Sequence, residues 1–195
     1  MDEDEVMLTP GPTEAPSGIF TATGTPDRDE LVGGPHGDTF SGAAGNDSIY
    51  GFGGGDVING GDGEDLIEGG DGDDVINGEA GNDHIESGNG DDIVEGGGDP
   101  DTFVIEPGEG KDIILDFEVH NENQDTIMLF GFPTGLTYDD HVAPGITFDD
   151  GNAVIDLSAY SGTVDLLGPT PQTITLVGVP YVIDDFFDIR SGVLT

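Results

Sequence analysis

Gly60-Gly-Asp-Gly-Glu-Asp-Leu-Ile-Glu68 is followed at once by Gly69-Gly-Asp-Gly-Asp-Asp-Val-Ile-Asn77. The second nonapeptide repeats the first, and the same register runs outward in both directions without an insertion. Nine such units fill residues 24–104. With Gly60 as position one, position six is always Asp: Asp29, Asp38, Asp47, Asp56, Asp65, Asp74, Asp83, Asp92 and Asp101. Position eight is always apolar: Leu31, Phe40, Ile49, Ile58, Ile67, Ile76, Ile85, Val94 and Phe103. Position one is Gly in every unit but one, where Ser87 stands. Position four is Gly except at Asp27, His36 and Asp99.

Each unit reads as a turn followed by a short strand. Glycines in positions one to six permit positive φ and a tight coil. Positions seven to nine form a three-residue strand whose middle side chain points inward, because side chains alternate. One unit cannot bury its single apolar residue. Two units back to back make a coil with two short strands, and stacked coils bury a continuous apolar column. The expected fold is therefore all-β, a two-sheet parallel β-roll over residues 24–104.

Stacking also places Asp over Asp, with coils ~4.8 Å apart. Carboxylates at that separation repel by roughly 1 kcal/mol in water, and by more at lower dielectric. The inward residue of each unit contributes only ~1.5–3 kcal/mol. Ordering the backbone costs ~1–2 kcal/mol per residue. Without cations the array should not fold. Opposed carboxylates and turn carbonyls form an all-oxygen cage, which favours calcium over zinc or iron, with magnesium a weaker candidate. An EF-hand is excluded: Asp71-Gly-Asp-Asp-Val75 lacks an oxygen ligand at its fifth place, and no helical pattern flanks it.

The composition agrees. Of 195 residues, 42 are acidic and three basic (Arg28, Lys111, Arg190), for a net charge of -39. Such a chain repels nucleic acid and anionic membranes. It has no cysteine and no apolar run near the ~18 residues that span a bilayer. The acidic start Met1–Glu5 is unlike a secretory leader, so the chain either stays inside or leaves by a route that needs none. No His-Glu-x-x-His, G-x-S-x-G, P-loop or cysteine nucleophile is present, and no enzymatic activity is expected. His36, His84, His120 and His141 are scattered and make no metal site.

Residues 1–23, acidic and Pro-rich, are expected to be a disordered leader or linker. Residues 105–195 are expected to form a β-rich cap, from the runs 112–117, 126–130, 152–157 and 173–179. At position seven, Val57, Val75 and Ile93 fall on the outside of one sheet, and part of the cap is expected to cover them. Asn59 should stack on Asn77, and Glu68 on Glu86.

The units resemble the RTX (repeats-in-toxin) nonapeptide, also called the haemolysin-type calcium-binding repeat. That resemblance implies a right-handed roll in which the Asp residues and turn carbonyls of unit n and unit n+2 share calcium. All nine Asp residues would then be ligands, for about seven ions, with the best-formed sites at Asp56, Asp65, Asp74, Asp83 and Asp92. The segment Lys111–Phe117 followed by Gln124–Leu129 looks like the strands that cap such rolls. Asp184–Ile189 is similar to the uncleaved C-terminal signal read by type I secretion machinery. The resemblance thus implies a secreted, extracellular bacterial module that folds when calcium is met outside the cell. Alternative roles are a carbohydrate- or surface-binding adhesion module with a glycan or cell-surface partner, or the tail of a larger secreted enzyme or toxin.

Overall fold

The computed structural model describes residues 6–8, 19–118, 124–131, 146–149, 152–156, 172–177 and 187–190. These residues form an all-β parallel solenoid of about five turns, with no helix among them. One sheet collects the odd-numbered strands in the order β1 (Val6–Leu8), β3 (Asp29–Val32), β5 (Ser48–Gly53), β7 (Leu66–Asp71), β9 (His84–Asn89), β11 (Thr102–Ile105), β13 (Thr126–Phe130) and β17 (Phe187–Arg190). The facing sheet runs β2 (Thr21–Thr23), β4 (Thr39–Ala44), β6 (Val57–Asp62), β8 (Val75–Ala80), β10 (Ile93–Gly98) and β12 (Lys111–Ile114). It continues through β16 (Thr173–Leu176), β15 (Asn152–Asp156) and β14 (Ile146–Asp149). All pairings are parallel except those of β15 with β14 and β16. Alternate units fall on alternate sheets, as the nine-residue period requires.

Position eight supplies the core. Every such residue from Leu31 to Phe103 is buried, and the column continues in both directions as one cluster from Ala22 to Leu176. Phe20 packs on Phe40 at one end and Phe103 on Phe117 at the other, each pair with ring centroids 5.9 Å apart. Identical β-branched side chains stacked in register, such as Ile58 on Ile76 and Ile67 on Ile85, fill the space between the sheets.

Two expectations, on strand length and on the outer apolar stripe, need correction, and strand pairing crosses both expected domain boundaries. Full strands of the array are six residues long and not three, because pairing resumes at positions two and three: Phe52 pairs with Gly70, and Gly53 with Asp71. Within the stretch expected to be a disordered leader, Val6–Leu8 pairs with β3 and Thr21–Thr23 with β4. The compositional boundary at residues 104/105 is no boundary of the sheets, since β12 and β13 extend both of them in parallel. The Val57/Val75/Ile93 stripe is not covered: these residues are 49%, 45% and 39% exposed, and Ile113 prolongs the row at 37%. A parallel extension adds strands to the sheet edge and leaves the outer face bare. The Asn59–Asn77 and Glu68–Glu86 pairs are in register as expected. His120, His141 and residues 184–186 of the 184–189 segment lie outside the described residues.

Candidate metal centre

The turns that follow each strand carry the carboxylates. In units three to nine, positions two and four both adopt left-handed backbone. Position two does so even without glycine, at Ala43, Phe52 and Glu79, and position four does so at Asp99. This alternation lets successive peptide groups point to opposite sides of the loop. The position-four N–H then reaches the position-three carbonyl of the next coil, as in Gly54 to Asp71 at 2.6 Å and Gly72 to Asn89 at 2.7 Å.

All nine Asp side chains of the array turn inward and are buried. Each links two coils. The backbone N–H of Asp47, Asp56, Asp65, Asp74 and Asp83 donates to Oδ1 of Asp65, Asp74, Asp83, Asp92 and Asp101 respectively, at 2.7–2.9 Å. The other oxygen, Oδ2, of Asp47, Asp56, Asp65, Asp74, Asp83, Asp92 and Asp101 is buried with no hydrogen-bond partner. Position one explains why glycine recurs there. A Cβ on Gly69 would lie 2.5 Å from Asp74 Oδ2 and would collide with the carbonyl oxygen of Ser87 in the coil above. Carboxylate and carbonyl oxygens from two coils therefore converge on one small space.

Burial is the main force on these carboxyls. It raises Asp47 and Asp56 to about 6, Asp74 and Asp83 to about 7 and Asp101 to about 8. The backbone N–H on Oδ1 opposes that rise, and carboxylates on adjacent rungs add to it. Asp65 and Asp92 are raised for the same leading reason. A buried column of oxygens that lacks donors and resists ionisation fits a hard divalent cation.

The two ends of the array differ from its middle. In the first two units, where Asp27 and His36 replace the position-four glycine, no residue of the turn is left-handed. The position-two N–H instead meets the unit's own carboxylate: Thr25 donates to Asp29, and Gly34 donates to Asp38 Oδ2 at 2.9 Å. Phe20 N–H takes Asp38 Oδ1 at 2.7 Å, so both oxygens of Asp38 are engaged. Asp38, expected as a ligand, is thus the least suited of the nine, whereas Asp29 keeps one buried oxygen, Oδ1, without a partner.

At the far end the structure adds carboxylates that a strict nine-residue count misses. Asp112 and Asp125 continue the ladder above Asp92 and Asp101, at spacings of 20 and 24 residues. Asp125 Oδ2 accepts from Glu118 N–H at 2.7 Å, which closes this end much as Asp38 closes the other. Asp116 accepts from Gly96 and Gly97 N–H at 2.9 and 2.7 Å. The signal was present as Asp-x-apolar in Asp112–Ile114 and Asp125–Ile127. Glu86, Glu106 and Glu109 also gather, with carboxylate oxygens within 4.8 Å of one another. Burial leads in pushing Glu109 up to about 9, while Glu106 N–H donates to its Oε2 at 2.7 Å.

Residues 32–67 and 68–103, less than half of the chain, each match the family model described as RTX calcium-binding nonapeptide repeat (4 copies). No curated protein matches the chain. Among solved structures it is similar to the AlgE6R3 subunit from the Azotobacter vinelandii mannuronan C5-epimerase, at 24% identity and a TM-score of 0.47, covering 93% of this chain and 86% of that one. It is also similar to the extracellular lipase LipA from Serratia marcescens, at 17% identity and a TM-score of 0.38. That likeness covers 89% of this chain but only 40% of the lipase.

Proposed function

Because residues 32–103 are RTX calcium-binding nonapeptide repeats, we propose that the chain is a calcium-dependent folding module of an extracellular bacterial protein exported by type I secretion. The observation that carries this reading is the column of buried, donorless Oδ2 atoms from Asp47 to Asp101. The ligand pairs are Asp47/Asp65, Asp56/Asp74, Asp65/Asp83, Asp74/Asp92 and Asp83/Asp101, the rungs in which both turns carry the left-handed pair. Asp38 serves as an amide-tied end of the roll and not as a full ligand, and Asp29, with Oδ2 tied and Oδ1 donorless, offers one oxygen. This places fewer ions in the array than the seven implied by counting units.

Bound calcium supplies the positive charge that cancels repulsion between coils. The residues do the rest. Oδ1 of each Asp from Asp65 to Asp101 fixes the spacing to the preceding coil, Oδ2 faces the ligand space, and glycine at position one keeps that space open in every one of these turns but 87–92, where Ser87 stands. In low calcium the carboxylates repel and the chain stays extended enough to thread a secretion channel. In high calcium, binding free energy becomes folding free energy. The acidic, cysteine-free composition suits that route, and Asp184–Ile189 is the proposed export signal.

The test is far-ultraviolet circular dichroism through a cycle of chelation and calcium return. The β signal should collapse in chelator at neutral pH and recover with calcium. A spectrum unchanged by chelation refutes the reading.

A further inference from the structure

The nine-residue period is interrupted at Ile105 and Glu106. Pro107-Gly-Glu-Gly-Lys-Asp-Ile-Ile-Leu115 then resumes it, two residues out of phase, with Gly at positions two and four and Asp at six. The family match ends before this interruption, at residue 103. The interruption brings two carboxylates, Glu106 and Glu109, against a third on the outside of the array. Glu86 holds position nine of its unit and follows buried Ile85 on β9, so its side chain points out where that of Ile85 points in. Glu68 lies beside Glu86 in register on β7, a like-charge pair that weakens the sheet.

We infer that Glu86, Glu106 and Glu109 form a divalent-cation site of the hard-oxygen class, separate from the Asp column. In the column the carboxylates come from position six of stacked turns. Here they come from the end of a strand, an inserted residue and position three of the turn that follows. One carboxylate oxygen from each lies within 4.8 Å of the other two. Oxygens on opposite sides of a bound calcium stand about 5 Å apart, so one ion can touch all three. The set has no His and no Cys, which excludes the softer metals.

Glu109 supplies the independent sign of a ligand. It is 7% exposed and lies on the wall of a cavity of about 240 Å³. Its hydrogen bond is to Oε2, from Glu106 N–H at 2.7 Å, and its Oε1 has no donor among the described residues. Burial opposes its charge first, and the carboxylates of Asp112, Glu106 and Glu86 oppose it further. Among the described residues no basic side chain lines the cavity. A buried carboxylate beside others, with one oxygen free, is the arrangement that a cation relieves. The cavity also has room for the several waters that complete calcium coordination.

The fold holds the site in place. Gln172, fully buried, accepts from Gly108 N–H at 2.8 Å and donates to Glu106 O. Gly90 N–H donates to Glu109 O at 2.7 Å, and Gly108 and Gly110 are left-handed, with φ of 94° and 138°. Glu106 and Glu109 are therefore fixed by bonds to their backbone from a lower coil and from the start of β16. A cation on the three carboxylates ties the inserted loop to β9 and offsets the repulsion between Glu68 and Glu86.

This site needs the folded roll and so rests on the calcium reading of the array, and the experiment separates the two. The full chain is titrated with calcium by calorimetry, wild type beside Glu106→Gln, Glu109→Gln and Asp74→Asn. Each Glu variant should bind one ion fewer than wild type while keeping the β spectrum at saturating calcium, and Asp74→Asn should lose up to two. Unchanged counts in both Glu variants beside a reduced one in Asp74→Asn overturn this site alone and leave Glu109 to carry a proton. Reduced counts in the Glu variants beside an unchanged one in Asp74→Asn support this site and overturn the reading of the array. Unchanged counts in all three overturn both. If neither Glu variant folds, anomalous diffraction from wild-type crystals grown in calcium decides. A peak among Glu86, Glu106 and Glu109 supports the site; peaks in the array with none there refute it.

Discussion

Replacing Asp74 with Asn removes one charge from the middle of the ladder and leaves side-chain size nearly unchanged. Asp74 belongs to two rungs: its Oδ1 accepts from Asp56 N–H at 2.7 Å, and its own N–H donates to Asp92 Oδ1 at 2.8 Å. One substitution therefore touches two proposed sites, where a terminal rung residue touches one. Above its dissociation constant, each ion bound only by the folded state adds roughly 1.4 kcal/mol of stability per tenfold rise in free calcium. Losing two ions should flatten that dependence by about 2.8 kcal/mol per decade, and at a calcium level of a hundred times Kd it should cost about 5 kcal/mol. Ile76→Ala is the matched control. Ile76 is fully buried two positions along the same unit, and its truncation should cost about 2–5 kcal/mol at every calcium concentration without altering the slope. Urea unfolding followed by circular dichroism, at a series of buffered calcium concentrations, gives both quantities. If the Asp74→Asn line runs parallel to wild type, or if Ile76→Ala flattens as much, the Asp column is not where the ions act.

Acid should partly replace calcium. Burial holds the rung carboxyls of the folded state above the ordinary carboxylate range, from about 6 at Asp47 to about 8 at Asp101. The folded, metal-free coil then binds more protons than the unfolded chain, so its stability is fully present below about pH 4 and is lost as pH rises through roughly 6 to 8. In chelator, the β signal should be stronger at pH 5.5 than at pH 8, and the opposite order would contradict the burial argument. Gly69→Ala should destabilise the calcium-loaded roll by about 1–3 kcal/mol, because the new methyl meets Ser87 O and Asp74 Oδ2. A loss below about 0.5 kcal/mol in urea unfolding would show that the cradle is looser than described.

The sequence by itself determined the two-sheet coil, the inward column from Leu31 to Phe103 and the stacked Asp register. A strict nine-residue period puts each feature in covalent register, so one unit implies all the others. What it could not settle depends on groups brought together from distant parts of the chain. Whether a carboxylate oxygen stays donorless or is tied by an amide turns on local backbone handedness, which separates Asp38 from Asp74 although both sit at position six. The exposure of Val57, Val75 and Ile93 turns on where later strands dock: they added to the sheet edge and left the outer face open. Asp112 is invisible to a fixed count because two inserted residues shift its phase. Hydrogen bonding between coils ignores that shift, since it senses which amide faces which carboxylate and not how many residues lie between them.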